Sequence, residues 1–373
     1  MYAHGQTVIQ LVEQLAPKKL AMEGDEARIG LQVGTLQKEV RRVMVALDVL
    51  EPVVDEAIAK NVDLIIAHHA VIFRPIQHVR TDLPQGRLLE KCLKHDIAVY
   101  VAHTNLDVAQ GGLNDWLAEE LGLQQTEVLI PLQQEKLKKI VVFIPTDHVE
   151  PVMDAMANAG AGWIGNYSHC TFQIPGTGTF MPREGTNPFI GQQGTLERVA
   201  EVRLETIVPE SIQSRVIRAM LEAHPYEEVA YDVYPLEQEG TFYGLGRKGT
   251  LSEPMTLAAF AQKVKDVFGL KGLRYVGDPE KGVKTVGIIG GDGNRFIPQA
   301  ATCGIDVLVT GDVYYHTAHE AMAAGLALVD PGHHVEQVMK RRLAAYLSEA
   351  LAEKQWKTEV IVSEVNTDPF SFL

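Results

Sequence analysis

Apolar and polar positions alternate along this chain in three successive rhythms. Up to Gly122, short apolar runs take turns with amphipathic segments. Val8, Leu11, Val12 and Leu15 share one face of a helix predicted over residues 6–16, and Pro17 marks its end. Strands are predicted at 43–47, 63–69 and 97–102, and helices at 52–60 and 87–95. A glycine-bounded segment (30–34) precedes them, and a polar loop (74–85) interrupts them. Leu64-Ile65-Ile66-Ala67 is apolar throughout, as in a strand buried on both faces of a parallel sheet. The order strand, helix, strand, helix, strand predicts right-handed parallel crossovers.

Around residues 122–134 the pattern loosens. A strand at 137–144 and a helix at 149–158 follow, then a stretch (160–193) rich in Gly, Pro, Thr and Asn that reads as loops and short strands. Residues 198–207 alternate like an antiparallel strand, 209–223 read as a helix, and 229–234 as a strand. Two strand-helix-strand units of this size predict a small α+β domain of ferredoxin-like shape. From Gly244-Leu245-Gly246-Arg247 onward the parallel α/β pattern returns. Helices are predicted at 257–268 and 335–351, with another carrying His316 and His319, and strands at 285–289, 305–309, 326–329 and 360–362. The predicted fold class is therefore α/β. Two parallel-type halves, 1–126 and 246–373, form one domain around an inserted α+β domain at 127–245.

Composition narrows the function. A chain of 373 residues exceeds one ordinary core. Its net charge of −14 argues against a general nucleic-acid binder, which must neutralise phosphates. Cys92, Cys170 and Cys303 are scattered, which fits a reducing cytoplasm and excludes a thiolate zinc finger. The N-terminus lacks the basic-then-apolar plan of a signal peptide, and no apolar run nears the roughly 18 residues of a membrane span. The expectation is a cytoplasmic protein without membrane or nucleic-acid partners.

Candidate chemistry collects at the carboxyl ends of predicted strands, where parallel sheets bind ligands. Asp48, the pair His68 and His69, then His103 with Asp107 end the first three strands; Asp312, His333 and Glu336 follow later ones. Imidazole and carboxylate together suit divalent Zn, Mn, Fe or Co. The predicted ligands are His68, His69, Asp107, His333 and Glu336. Each has a plainer explanation alone: Asp107 can cap a helix, and His333 can bond Glu336 locally. Taken together, three imidazoles and two carboxylates are enough for a pair of metals roughly 3.5–4 Å apart. Glu336 lies three positions after His333, so at a helix start the two share a face. Asp312 and His316 are the candidate general acid or base, with support of the ligands as the alternative. His103 and Asp48 read as supports for the ligating rings. Gly290-Gly291-Asp292-Gly293 admits either a phosphate or simple turn geometry. Pro225 and Tyr226 read as structural or interfacial.

Several motifs occur in a familiar order: Gly30-Leu31-Gln32-Val33-Gly34, His68-His69, His103-Thr104-Asn105-Leu106-Asp107, Thr310-Gly311-Asp312, Gly332-His333 and Asn366-Thr367-Asp368-Pro369-Phe370. Over essentially the whole chain they resemble the NGG-one-interacting factor three family. Its bacterial members are often labelled GTP cyclohydrolase 1 type 2 homologues. The resemblance implies an α/β fold and a ring-shaped homohexamer, a dimer of trimers. It also implies two divalent metal ions per chain, zinc foremost, on His68, His69, Asp107, His333 and Glu336. Many members space the last two ligands four apart, where this chain spaces them three apart. The central insertion of longer members resembles the trimeric CutA and PII-type domains, with His224-Pro225-Tyr226-Glu227 as its signature. The implied function is hydrolysis of a nucleotide-like or other small substrate by metal-activated water, with His316 shuttling a proton. Opening of the GTP purine ring is one compatible reaction, and phosphoester and amide hydrolysis are others. The alternative is a metal-binding regulatory or scaffold ring that senses a small molecule through the inserted domain.

Overall fold

A computed structural model describes residues 1–373, and they divide into two compact units, Met1–Gln133 with Tyr243–Leu373 and Gln134–Phe242. In the first unit, one sheet runs in the order Glu359–Val362, Arg42–Ala46, Leu64–Ala67, Ala98–Val101, Gly30–Val33. The first four strands are parallel, and Gly30–Val33 closes the edge antiparallel to Ala98–Val101. Leu64–Ala67 and Ala98–Val101 are buried at every position, as strands covered on both faces must be.

A second sheet of the same unit has Gly282–Asp292, Val307–Gly311 and Ala327–Asp330 in parallel. Arg274–Val276 flanks Ala327–Asp330 antiparallel, and residues 247–256 pair antiparallel with 282–288. Both sheets are thus mixed, where the sequence predicts parallel pairing alone. The Gly244–Arg247 segment, read as the return to parallel order, lies in an antiparallel strand. One core joins the sheets. Val45, Leu64 and Ile66 of the first and Val286, Val307 and Val329 of the second belong to a single buried cluster. The helix Val338–Glu353 adds Met339, Leu343 and Leu347 to it.

The second unit contains two helices, Val149–Asn158 and Gln213–Ala223, whose Val152, Met156, Val216 and Met220 pack with Ile140, Val142, Leu204 and Val208 of its strands. Its strand order is 231–242, 134–145, Glu197–Pro209, Thr171–Phe180. Residues 137–145 pair antiparallel with 201–209, and Thr171–Phe180 pairs antiparallel with 197–206. Thr171–Phe180 carries Pro175, Gly176 and Gly178, which is why the sequence reads there as loop. At the end of a sheet such residues are tolerated, because one side of the strand makes no ladder bonds.

Arg247, 2% exposed, ties the first unit together. Its guanidinium grips Asp115 through Nε at 2.6 Å and Nη2 at 2.7 Å and also reaches the carbonyls of Ala109, Gly244 and Gly246. Arg247→Ala strands these acceptors, and urea unfolding should register a loss of about 3–5 kcal/mol.

Candidate metal centre

His68 and His69 follow the carboxyl end of Leu64–Ala67 and extend its ladder, their N–H groups donating to Ala46 O and Leu47 O. Asp107 sits on the short helix Thr104–Val108, directly after the neighbouring strand. His333 and Glu336 come from the second sheet, on a 3₁₀ turn, His333–Gln337, between Ala327–Asp330 and the α-helix that starts at Val338. Three residues per turn eclipse positions i and i+3. That local geometry is what places a His and a Glu spaced three apart on one face.

The Glu336 carboxylate, 3% exposed, stands at the middle of the cluster. One oxygen, Oε2, lies 3.0 Å from His69 Nε2 and 3.2 Å from His333 Nε2. The other, Oε1, lies 3.7 Å from His68 Nε2, which is itself 3.5 Å from Asp107 Oδ1. Ring centres are 5.0 Å apart for His68 and His69, 5.2 Å for His69 and His333, and 5.2 Å for His68 and His103. Three overlapping groups have ligand atoms within 4.8 Å of one another: His68, Asp107 and Glu336; His69, His333 and Glu336; His68, His69 and His103.

In each of the four imidazoles Nδ1 is held from outside. His68 meets Ala102 O at 2.9 Å, His69 meets Asp48 at 2.6 Å, His103 meets Asp25 at 2.7 Å, and His333 meets Asp312 at 2.7 Å. Carbonyl and carboxylate only accept, so each Nδ1 donates and Nε2 is left with its lone pair. His68 Nε2 and Asp107 Oδ1 are buried with no hydrogen-bond partner. Two buried acceptors facing each other cost free energy unless a cation lies between them. The donor set fits a divalent transition metal.

Without a metal the same surplus of acceptors draws protons. Burial works against charge on His69, but Asp48 and Glu336 outweigh it and lift its pKa to about 10. His333 rises to about 9 against burial, pulled by Glu336 and Asp312. Burial pushes Asp107 up to about 6 despite the pull of His68. Burial would raise Glu336 too, yet the surrounding imidazoles hold it well below the usual carboxylate range.

The model of the family described as Duf34/NIF3 (NGG1p interacting factor 3) matches residues 3–369. The chain belongs to the NIF3 family. Relatives include proteins named GTP cyclohydrolase 1 type 2 homolog from Bacillus subtilis, 56% identical over 99% of both chains, and from Halalkalibacterium halodurans, 53% identical over 100% of this chain and 99% of that one. Among solved structures, a Bacillus cereus protein related to NIF3 superposes with TM-score 0.95 at 54% identity over 100% of both chains. A Staphylococcus aureus protein gives TM-score 0.77 at 31% identity over 100% of this chain and 99% of that one.

In this NIF3 protein the two candidate catalytic residues part company. Asp312 bonds His333 from a left-handed backbone conformation (φ 55°), uncommon for a non-glycine residue and a mark of strain at a site. His316 is exposed on the helix Tyr315–Ala323, its ring against Tyr315, and shares no hydrogen bond or ion pair with the cluster. Two residues of the site, Asp25 and Asn114, carry no signal in the sequence. Asp25, 3% exposed, accepts from His103 and Thr104. Burial raises its pKa, but these bonds and Arg28 bring it down to about 2. Asn114, fully buried, donates to Asp107 O and accepts from Gly290 N–H, both at 2.9 Å, and so links the two halves of the site. Thr367 of the C-terminal motif bonds Asp48. Gly291 has a role close at hand: a Cβ there would lie 2.6 Å from Glu336 Oε1.

Two measurements check this electrostatic account. Raised folded pKa values mean that His69 and His333 stabilise the metal-free protein fully below the unfolded value near 6.5. That contribution declines from there as pH rises and is gone once pH has passed about 9 to 10. Melting temperatures of chelator-treated protein should therefore drop across that window. Asp48→Asn loosens the His69 ring and should weaken metal binding about 10–100-fold in competition with a chromogenic chelator.

Proposed function

We propose that this centre holds two divalent metal ions, zinc first among zinc, manganese, iron and cobalt, and hydrolyses a nucleotide-like or other small substrate. The observation that carries the reading is the pair of buried, unpartnered acceptors, His68 Nε2 and Asp107 Oδ1, 3.5 Å apart. His68, Asp107 and Glu336 would hold one ion, and His69, His333 and Glu336 the other. Glu336 qualifies as the shared ligand because its two oxygens face different imidazoles. Divalent ions in such a site lower the pKa of water so that hydroxide is available at neutral pH.

The protein's own residues provide orientation. Ala102 O, Asp48 and Asp312 fix the three ligating rings with Nε2 turned inward. Asp25 fixes His103, whose ring stands 5.2 Å from that of His68 and 5.9 Å from that of His69. His103 is thereby a better-placed neighbour for a substrate than the exposed His316, and Asp312 acts by orienting His333. We further propose that the protein works in the cytoplasm as a homohexamer, a dimer of trimers. Its second unit is then a CutA/PII-like insertion, a reading supported by the element order strand-helix-strand-strand-helix-strand. No helix is long and apolar enough to cross a membrane.

The test combines metal analysis with turnover. Purified protein should contain about two metal equivalents per chain, and Glu336→Gln or the double variant His68→Ala/His69→Ala should lose them. A screen over nucleotides, phosphoesters and amides with added zinc or manganese should reveal hydrolysis that disappears in the same variants. Metal retained with silence across the screen would overturn hydrolysis in favour of a regulatory or scaffold ring.

A further inference from the structure

The second unit carries a half-open cavity of about 630 Å³, within the size range of small-molecule sites. It shares no residue with the metal centre. Aromatic rings line it: Tyr226 meets Phe180 at 5.7 Å and Phe189 at 6.4 Å between ring centres. Of the three carboxylates on its wall only Glu201 is buried, at 8% exposed. Its Oε1 accepts a hydrogen bond of 2.9 Å from the Tyr226 hydroxyl. No donor of the chain bonds Oε2, and no lysine, arginine or histidine pairs with this carboxylate. Arg203, on the same cavity, is committed to Glu205 at 3.0 and 2.9 Å.

The surrounding backbone is arranged to keep Glu201 there. Gly176 pairs with it on Thr171–Phe180, and at Gly178, two residues further on, a Cβ would fall 2.0 Å from Oε2. Tyr226 is set by its own turn. His224, buried, accepts from Tyr226 N–H at Nδ1 (3.1 Å) and donates from Nε2 to Phe143 O (3.0 Å). The His224-Pro225-Tyr226 motif thereby presents the tyrosine hydroxyl to Glu201. The cavity's charged residues are three carboxylates against two guanidiniums.

A buried carboxylate with one oxygen unbonded is best matched by a charged N–H donor, and flanking aromatic rings favour a flat cation. We propose that this cavity binds a small planar compound bearing a cationic nitrogen, with that nitrogen on Glu201 and its ring packed against the aromatic wall that Tyr226, Phe180 and Phe189 form together. The probe is benzamidine, a flat aromatic amidinium, compared with benzoate, its near-isostere of opposite charge. Both are titrated into the full-length protein by calorimetry. Benzamidine should bind at least about tenfold more tightly than benzoate, and Glu201→Gln should weaken it by a similar factor without altering metal content. Equal binding of the two isosteres, no binding of benzamidine, or unchanged affinity in Glu201→Gln would each overturn the proposal. The isostere comparison uses the unaltered protein, so it decides even if the variant fails to fold.

Discussion

The site depends on one buried negative charge. Glu336 is almost wholly removed from water and surrounded by three imidazoles, each turned towards it by an acceptor on its far side. A carboxylate in that position is tolerable only when positive charge is supplied to it. The two sheets of the first unit therefore meet through a shared electrostatic need as well as through their common apolar core. One contributes His68, His69 and Asp107, and the other His333 and Glu336. Neither set balances its charges alone.

Family membership identifies the fold, whereas the chemistry has to be argued from the side chains. The relatives' name speaks of homology to a GTP cyclohydrolase, and a fold can host unrelated reactions. What the geometry does support is narrower: a compact set of imidazole and carboxylate donors, oriented by Asp48, Asp312 and Ala102 O. Such orientation is expected where ligand positions must be held within a fraction of an ångström.

Much of this was legible in the sequence because parallel strands write a simple signature. Leu64-Ile65-Ile66-Ala67 is apolar throughout since both its faces are covered, and polar residues begin where the sheet stops. The same break exposed Asp48, Asp312 and His333. The residues that escaped lacked this signature. Asp25 precedes a 3₁₀ turn in an irregular stretch, where one more acidic residue looks like surface, yet it is buried against His103. Asn114 lies on an amphipathic helix, and nothing in its spacing reveals that it spans from Asp107 to Gly290. Pairing direction was also hidden. Residues 247–256 are held by a backbone ladder to 282–288, and such ladders impose little on side-chain order. Residues 124–136, where the apolar rhythm fades, are extended for the same reason.

The 3₁₀ turn at His333–Gln337 reaches beyond the centre it serves. Each residue of such a turn advances the chain by roughly 120°, against roughly 100° in an α-helix. Five residues wound this way hand over to Val338–Glu353 with a phase roughly 100° ahead of a helix that was α from the start. Met339, Leu343 and Leu347 face the core only at that phase. Rewinding the turn would swing this apolar stripe by about a quarter of a revolution, so the pitch of five residues sets ligand spacing and the azimuth of a core helix together.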